Sequence, residues 1–252
     1  MLPSDTGACL FDLDDTLAES KQPVTEEMAG ALARLLERMP VSVISGGTYG
    51  ILLSNVVARM PEGARLENLY LQPTSGAVLY RYADESWHAV YSESLTDTEA
   101  DAIVLALTQA CEETGLVDLA SEAFGERIER RGPQVTLSAL GQQAPLQEKL
   151  AWDPSRAKRT VLFEAIARRL PMFSVKMGGT TSFDITKPGI DKAYGVRMLS
   201  EHISIPIERM LYVGDALFPG GNDEVVKQTG IPTKQVTNPR ETIEVIDALI
   251  AR

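Results

Sequence analysis

Short apolar runs alternate with amphipathic stretches near both ends of the chain. The run ACLFDL at 8–13 has the length and composition of a buried strand, and the pattern from about Thr25 to Glu37 predicts a helix with Thr25 as its N-cap. A second strand is predicted for VSVIS at 41–45, followed by a Gly-Gly turn and a helical pattern through about Arg59. A strand near LYLQ and a hairpin-like segment GAVLYRY follow. This strand–helix–strand order predicts a parallel sheet with helices on both faces.

The middle of the chain has a different pattern, typical of open-faced α+β units. Its predicted elements are strand WHAVY, helix 97–114, strands ERIERR and QVTLSAL, helix 155–169, and strands FSVKM and SFDIT. The strand–helix order then returns with helix 191–201, strand RMLYVGD, helix 222–229, a short strand near TKQV and a last helix from Pro239. We therefore expect an α/β fold with a Rossmann-like parallel-sheet core at 1–84 and 186–252 and an inserted α+β domain at 85–185.

Composition and charge limit the classes of protein to which this chain can belong. The 252 residues are 44% hydrophobic and 23% charged, which is enough apolar material for a full core. The apolar runs are far shorter than the roughly 18–20 residues that span a bilayer, and the N-terminus does not resemble a signal peptide, so we expect a cytoplasmic protein with no membrane partner. The formal charge of -11 argues against nucleic acid as a partner. A monomer or a homodimer is expected.

An acidic cluster lies at the end of the first predicted strand, in the stretch LFDLDDTLAES at 10–20. Because side chains alternate along a strand, Asp12 and Asp14 are expected to project into one crevice at its carboxyl end. Two close carboxylates need a cation, and Mg²⁺ suits oxygen ligands and leaves a position for a substrate phosphate. Asp12 could then attack phosphorus, with Asp14 as general acid and base. Taken alone, DxDxT fits a helix-capping turn with solvated acids equally well.

Other strand ends carry groups that suit the same chemistry. In YVGDALFPGGNDEVV, Asp215 follows a strand and would complete a metal site, and Asp223 lies at the next helix start. Ser45 and the Gly46 amide lie at the end of the second strand and are suited to hold phosphate oxygens. In GIDKAYG, Lys192 could bridge the nucleophile and a phosphate. Each has an ordinary alternative: a plain turn after a strand for VISGG, and a solvated surface lysine for Lys192.

The order of these motifs resembles the haloacid dehalogenase superfamily of phosphotransferases. The long insertion resembles the α/β cap of its second cap class (type IIB), the branch that contains sugar phosphatases and eukaryotic-type phosphomannomutases. The stretches GGTTSFDITKPGIDK, GDALFPGGND and ERRGPQVTLSALGQ are similar to phosphomannomutase stretches, and the PGGND loop is the most specific. The resemblance implies a Rossmann-like core with an inserted α+β cap domain that determines substrate specificity.

The resemblance also implies roles for individual residues. Asp12 would be the nucleophile and Asp14 the acid and base, with Ser45 and Lys192 as further catalytic residues. Mg²⁺ would be held by the Asp12 carboxylate, the Asp14 main-chain carbonyl and Asp215, with Asp223 supporting the site. The expected substrate contacts are Lys21 and Gly46 in the core and Arg131, Gln142, Ser182 and Asp184 in the cap.

Two departures from the mutase pattern separate the functional hypotheses. Gln142 follows Gly141 where the mutases place another cap arginine, and Asp15 stands where they have glycine. A mutase must bind a bisphosphate in either orientation, so its cap needs a second cationic phosphate site. The favoured hypothesis is therefore a Mg-dependent phosphatase that acts on a small phosphorylated metabolite, such as a sugar phosphate, through an aspartyl phosphate. The alternatives are a phosphomannomutase-like phosphosugar isomerase and a non-catalytic binding protein.

Overall fold

The computed structural model describes residues 3 and 5–251 and divides into two compact units. Unit 1 extends from the N-terminal part of the chain to Ser92 and from Ile190 through the last helix, and unit 2 is Glu93–Gly189. The sequence analysis expected the boundaries after residues 84 and 185, and residues 1, 2, 4 and 252 of that expected core lie outside the described residues. No described helix has both the length and the apolarity needed to cross a bilayer.

The structure is a mixed α/β fold, as the sequence predicted. The strands in the described residues are β1 (Ala8–Asp12), β2 (Val41–Ile44), β3 (Leu69–Gln72), β4 (Val78–Ala83), β5 (Ser86–Ser92), β6 (Ile128–Arg130), β7 (Gln134–Ser138), β8 (Ser174–Gly178), β9 (Ser182–Thr186), β10 (Met210–Gly214) and β11 (Thr233–Gln235). The α-helices are α1 (Glu26–Leu36), α2 (Tyr49–Asn55), α3 (Asp97–Thr114), α4 (Leu146–Trp152), α5 (Ala157–Arg169), α6 (Lys192–Ile203) and α7 (Pro239–Ile250). Short 3₁₀ helices are Val57–Arg59, Leu66–Asn68, Thr74–Gly76, Ile207–Arg209 and Glu224–Thr229.

Unit 1 is built on one sheet with strand order β11-β10-β1-β2-β3-β4-β5. The first five of these pair in parallel, and β4 and β5 are antiparallel. All five side chains of β1 are buried, because a central parallel strand is covered on both faces. The register aligns Asp12 with Ile44 and Ile44 with Gln72. The carboxyl ends of β1, β2 and β3 therefore lie side by side at one edge of the sheet.

Strand β5 is where unit 1 differs from the sequence prediction. WHAVY was expected in the inserted domain, yet it pairs with β4 in the unit 1 sheet, with Trp87 aligned with Tyr82. The loop between the strands is Asp84 and Glu85, with φ of 47° and 59°. Positive φ at both loop residues is the geometry of the tight hairpin turn that matches the strand twist. Asp-Glu is not a typical sequence for that turn, so the hairpin was not predicted in full.

Unit 2 is a four-stranded antiparallel sheet with order β6-β7-β9-β8. One face is apolar and packs against α3 and α5; its buried side chains include Val135, Leu137, Phe183 and Ile185. The other face is polar, and one row across the four strands aligns Glu129, Thr136, Asp184 and Lys176. The alternation of strand side chains thus gives unit 2 one core face and one face of hydrogen-bonding groups.

Some local details of the structure differ from the prediction. Strand β1 ends at Asp12, one residue before the predicted end, because the chain bends at Leu13. The predicted helix 222–229 is a 3₁₀ helix that begins at Glu224. Helix α4 was not predicted; it has seven residues and no buried side chain, so it lacks the apolar periodicity that marks longer helices.

Candidate active site

A buried lysine joins two carboxylates at the carboxyl end of the unit 1 sheet. Lys192 Nζ lies 2.5 Å from Asp12 Oδ1 and 2.6 Å from Asp223 Oδ1, and all three residues are buried. Lys192 is the first residue of α6, which is capped by Asp191. Burial disfavours the charged lysine, but the adjacent Asp12 and Asp223 outweigh that effect and raise the pKa of Lys192. The lysine is therefore a fixed cation beside Asp12.

Asp223 is held by donors from three directions. Its Oδ1 accepts from Lys192 Nζ and from the Tyr212 hydroxyl at 2.6 Å, and its Oδ2 accepts from the Ala216 amide at 3.2 Å. A Cβ at Gly214 would collide with this carboxylate, which explains the glycine before Asp215. Because Oδ1 has both lone-pair positions occupied, Asp223 mainly positions Lys192.

The described residues contain one carboxylate cluster suited to a cation. Asp12, Asp215 and Asp223 each offer an oxygen within 4.8 Å of the others. Burial raises the pKa of Asp12, the charge of Asp223 raises it further, and Lys192 partly offsets both. Burial and the nearby Asp223 also raise the pKa of Asp215. Three acids against one lysine leave a net negative charge, and the all-oxygen donor set fits a hard divalent cation.

Asp14 follows the end of β1, and its carboxylate is not one of the three in this cluster, so the shared crevice with Asp12 stays a prediction. The strand ends at Asp12, and the amides of Leu17 and Ala18 turn back to the Leu13 carbonyl at 2.9 and 3.0 Å. Strand alternation therefore no longer applies at Asp14, which is half-buried. The metal role predicted for Asp14 concerns its main-chain carbonyl and stays a prediction.

Lys21 contacts Asp14 through its backbone. The Lys21 amide donates to Asp14 Oδ1 at 2.6 Å, and Lys21 has a φ of 62°. Its side chain is exposed. The predicted substrate contact of this side chain stays a prediction, and the structure adds a second role for Lys21, the orientation of Asp14.

Ser45 and Gly46 lie immediately after β2, next to Asp12. Ile44 is aligned with Asp12, so these two residues extend beyond the sheet beside it. The Ser45 hydroxyl is buried and accepts from the Gly47 amide at 3.0 Å, which leaves its proton free to donate elsewhere. Gly46 is exposed, and its N–H donates to no described group. Both are available to an anion at this edge.

Two residues of the site were not identified from the sequence, Thr16 and Tyr212. Thr16 Oγ1 accepts from the Asp215 amide at 3.0 Å and lies 3.5 Å from Asp215 Oδ1, so it fixes this acid. The threonine of DxDxT was the available signal. Tyr212 is fully buried, and its phenol reaches Asp223 across 11 positions of sequence. No spacing rule in the sequence predicts that contact.

The predicted cap residues lie on or beside the polar face of the unit 2 sheet. Arg131 donates to Glu129 Oε2 through Nε at 2.9 Å and Nη2 at 2.6 Å, and its Nη2 lies 3.2 Å from Gln142 Oε1. Burial raises the pKa of Asp184, partly offset by a hydrogen bond from Thr136 and the charge of Arg131.

Ser182 lies on the neighbouring row of this face, aligned with Ser138. The structure therefore groups Arg131 with Gln142, and Ser182 with Asp184 on β9. The positive charge of Arg131 is matched within the unit by Glu129.

Comparison with known proteins places the chain in a family. A family model described as eukaryotic phosphomannomutase matches residues 28–252. The chain belongs to this family. Phosphomannomutase 1 of Mus musculus is 23% identical over 244 residues, covering 94% of this chain and 89% of the relative. Phosphomannomutase of Saccharomyces cerevisiae is 23% identical over 246 residues, covering 95% and 92%.

A solved structure supports the fold of this phosphomannomutase-family protein. A haloacid dehalogenase-like hydrolase from Bacteroides thetaiotaomicron has a TM-score of 0.65 and 16% identity, covering 97% of this chain and 99% of the other. The predicted superfamily, fold class and enzyme class are confirmed. The protein is an enzyme of the haloacid dehalogenase phosphatase or phosphomutase type.

Proposed function

We propose that this protein is a Mg-dependent phosphatase that hydrolyses a small phosphorylated metabolite, such as a sugar phosphate, through an aspartyl phosphate on Asp12. The observation that carries the proposal is the Lys192 ammonium 2.5 Å from Asp12 Oδ1, beside the carboxylates of Asp215 and Asp223. Apolar side chains would stabilise the end of the sheet at least as well as a buried ion pair does. A buried carboxylate beside a fixed cation is suited instead to a nucleophile that receives a phosphoryl group.

The chemistry divides among residues of unit 1. Asp12 attacks phosphorus and the ester P–O bond breaks, while Lys192 offsets the charge on the phosphoryl oxygens. Ser45 and the Gly46 N–H donate hydrogen bonds to those oxygens. Asp14 donates a proton to the leaving oxygen, then takes one from the water that attacks the aspartyl phosphate. Inorganic phosphate leaves and Asp12 is regenerated.

The carboxylate cluster fits Mg²⁺. Asp12, Asp215 and the Asp14 carbonyl would hold the ion, and Asp223 would support them through Lys192 and the Ala216 amide. When bound, Mg²⁺ supplies positive charge to the phosphoryl oxygens and favours the ionised form of Asp12.

Unit 2 supports hydrolysis over isomerisation. A mutase needs a second cationic site for the distal phosphate of a bisphosphate. Here the Arg131 guanidinium is already paired with Glu129, and its neighbour Gln142 is neutral. We propose that the polar face carrying Arg131, Gln142, Ser182 and Asp184 binds uncharged hydroxyls of the substrate instead.

Phosphomutase activity is the second candidate, favoured by the match of the eukaryotic phosphomannomutase model to residues 28–252. The two phosphomannomutases compared above are each 23% identical to this chain, so the family alone does not decide between the two reactions.

One assay separates the candidates. The protein is incubated with mannose 1-phosphate and a panel of other sugar phosphates, with Mg²⁺ or with EDTA, and with or without glucose 1,6-bisphosphate. Phosphatase activity predicts Mg-dependent release of inorganic phosphate and little mannose 6-phosphate. Isomerisation that requires the bisphosphate would replace the first candidate with the second, and no phosphate transfer from any substrate would reject both.

A further inference from the structure

Three consecutive residues after β3 have left-handed backbone. Thr74, Ser75 and Gly76 have φ of 49°, 58° and 89°. This region is disfavoured for a β-branched residue such as threonine, because its Cβ approaches the backbone too closely. Strained residues of this kind persist only where their surroundings enforce them, and they cluster at ligand sites. We call the segment Thr74–Gly76 the TSG turn.

The TSG turn is fixed between two parts of the candidate active site. On one side, the Thr74 amide donates to the Gly47 carbonyl at 2.9 Å and the Ser75 amide to the Ser45 carbonyl at 2.8 Å. On the other side, Gly76 packs against Gly195 of α6, so closely that a Cβ on Gly76 would lie 2.7 Å from the Gly195 Cα. Helix α6 begins at Lys192. The TSG turn therefore lies between the loop Ser45–Gly47 and the helix that carries Lys192.

The turn presents a hydroxyl that has no partner among the described residues. Ser75 is half-buried, its Oγ makes no hydrogen bond there, and a Cβ added to Gly46 would lie 3.8 Å from that oxygen. The Gly46 N–H is likewise unused. Buried within the same turn, Thr74 Oγ1 also lacks a partner. Two unused donors at the ends of adjacent parallel strands suit an oxyanion held between them.

We propose that Ser75 is a phosphate-binding residue of unit 1, donating its hydroxyl to a non-bridging oxygen of the phosphate that Asp12 receives. Thr74 is its positioning residue: the enforced left-handed backbone directs Ser75 toward Gly46. The proposal rests on the phosphatase function proposed above and adds a donor from β3 to those from β2. The ligand class is a phosphate monoester or inorganic phosphate, whatever the leaving group.

Inhibition by inorganic phosphate tests the contact directly. Ser75→Ala should weaken phosphate inhibition about tenfold, the loss of one hydrogen bond to a charged group. It should also lower kcat/KM by a similar factor for a sugar phosphate and for nitrophenyl phosphate, since the phosphate is common to both. Ser155→Ala, an exposed serine of unit 2, is the control and should change neither value. Unchanged phosphate inhibition, or a loss confined to the sugar phosphate, would overturn the proposal.

Thr74→Gly tests the positioning role. Glycine adopts the left-handed region freely, so thermal stability should be kept or raised while phosphate inhibition weakens at least about threefold. Ser204→Gly is the control, because Ser204 has a φ of 55° at the exposed end of α6 and its replacement relieves similar strain away from the site. Wild-type phosphate inhibition in Thr74→Gly would reject this role.

Different results would reject the phosphatase function and the role of Ser75. A wild-type protein that releases no phosphate from any monoester and is not bound by inorganic phosphate would reject the phosphatase function, and the Ser75 role with it. An active wild type whose Ser75→Ala variant retains full phosphate affinity would reject the Ser75 role alone.

Discussion

The Tyr212 hydroxyl is buried and donates to a carboxylate that also accepts from the lysine beside Asp12. Tyr212→Phe removes this donor while it keeps the ring, so the free energy of unfolding should fall by about 1.5–3 kcal/mol, the range for a hydrogen bond to a charged group. Tyr80→Phe is the control, since the Tyr80 ring stacks on Tyr49 and its hydroxyl has no described partner. Urea unfolding measures both, and equal losses would contradict the role of Tyr212.

Gln142 is the residue that best distinguishes a phosphatase from a phosphomutase. Gln142→Arg should add a second cation beside Arg131 and tighten inhibition by glucose 1,6-bisphosphate by about 1.5–3 kcal/mol. Binding of a monophosphate should change little. Gln143→Arg, at the exposed neighbouring position, is the matched control. Equal inhibition of both variants and wild type would remove the argument from Gln142 for hydrolysis.

The sequence predicted best those residues whose position follows from a strand end. Asp12, Asp215 and Lys192 each follow or adjoin a predicted element boundary, and the structure brings all three together. The role of Asp14 stays a prediction, because β1 ends two residues earlier and strand alternation does not extend to it. The contact of Tyr212 with Asp223 was not predicted, because it depends on how β10 packs against the loop that ends at Asp223. A local sequence pattern does not contain that information.

At the scale of elements, close contact between α6 and the TSG turn positions Lys192. A Cβ on Gly195 would lie 2.7 Å from Ile44 Cδ1 and 3.2 Å from the Gly76 Cα. Gly195→Ala should therefore lower the free energy of unfolding by about 1–3 kcal/mol through overpacking, and should reduce turnover by displacing Lys192.

Gly30→Ala is the matched control in another helix. A Cβ there meets only Arg34 Nη1, at 3.9 Å, and alanine favours helix more than glycine does, so stability should rise by about 0.5–1 kcal/mol. Thermal unfolding distinguishes the two. A stabilised Gly195→Ala variant would show that α6 can move away without cost and would contradict the positioning argument.

Elements with a clear hydrophobic periodicity were predicted from the sequence. Elements that depend on unusual backbone dihedral angles were not. Helix α1 has an N-cap and a buried apolar stripe, and it begins one residue after the predicted cap Thr25. The hairpin that includes β5 depends on positive φ at Asp84 and Glu85. Neither residue type predicts a positive φ at both positions. The segment after Asp223 has a helical composition but forms a 3₁₀ helix.

At the scale of the whole molecule, the excess of acids in the carboxylate cluster couples metal binding to folding. If Mg²⁺ binds only the folded protein, it should stabilise the fold by about 2.7 kcal/mol at a concentration one hundred times its Kd. Asp215→Asn should abolish most of this increment, whereas Asp84→Asn, in the β4–β5 loop, should retain it. Equal Mg²⁺ stabilisation of all three proteins would place the metal elsewhere.

The interrupted order of elements was enough to predict an inserted domain and the fold class. The exact division was not predictable, because residues 86–92 have a strand pattern that suits either sheet and only the pairing with β4 assigns them. Pairing partners are long-range information, and a strand pattern alone does not contain them.

Asp12 is the residue that we propose to receive the phosphoryl group. The most direct measurement is mass spectrometry of the protein after rapid acid quench during turnover of nitrophenyl phosphate with Mg²⁺. We expect a phosphate adduct on the peptide that contains Asp12. The adduct should be absent in Asp12→Asn, and turnover of that variant should fall roughly a thousandfold or more. Asp15→Asn, at the exposed neighbouring acid, should retain both adduct and activity. Full turnover in Asp12→Asn, or an adduct on another residue, would show that Asp12 is not the nucleophile.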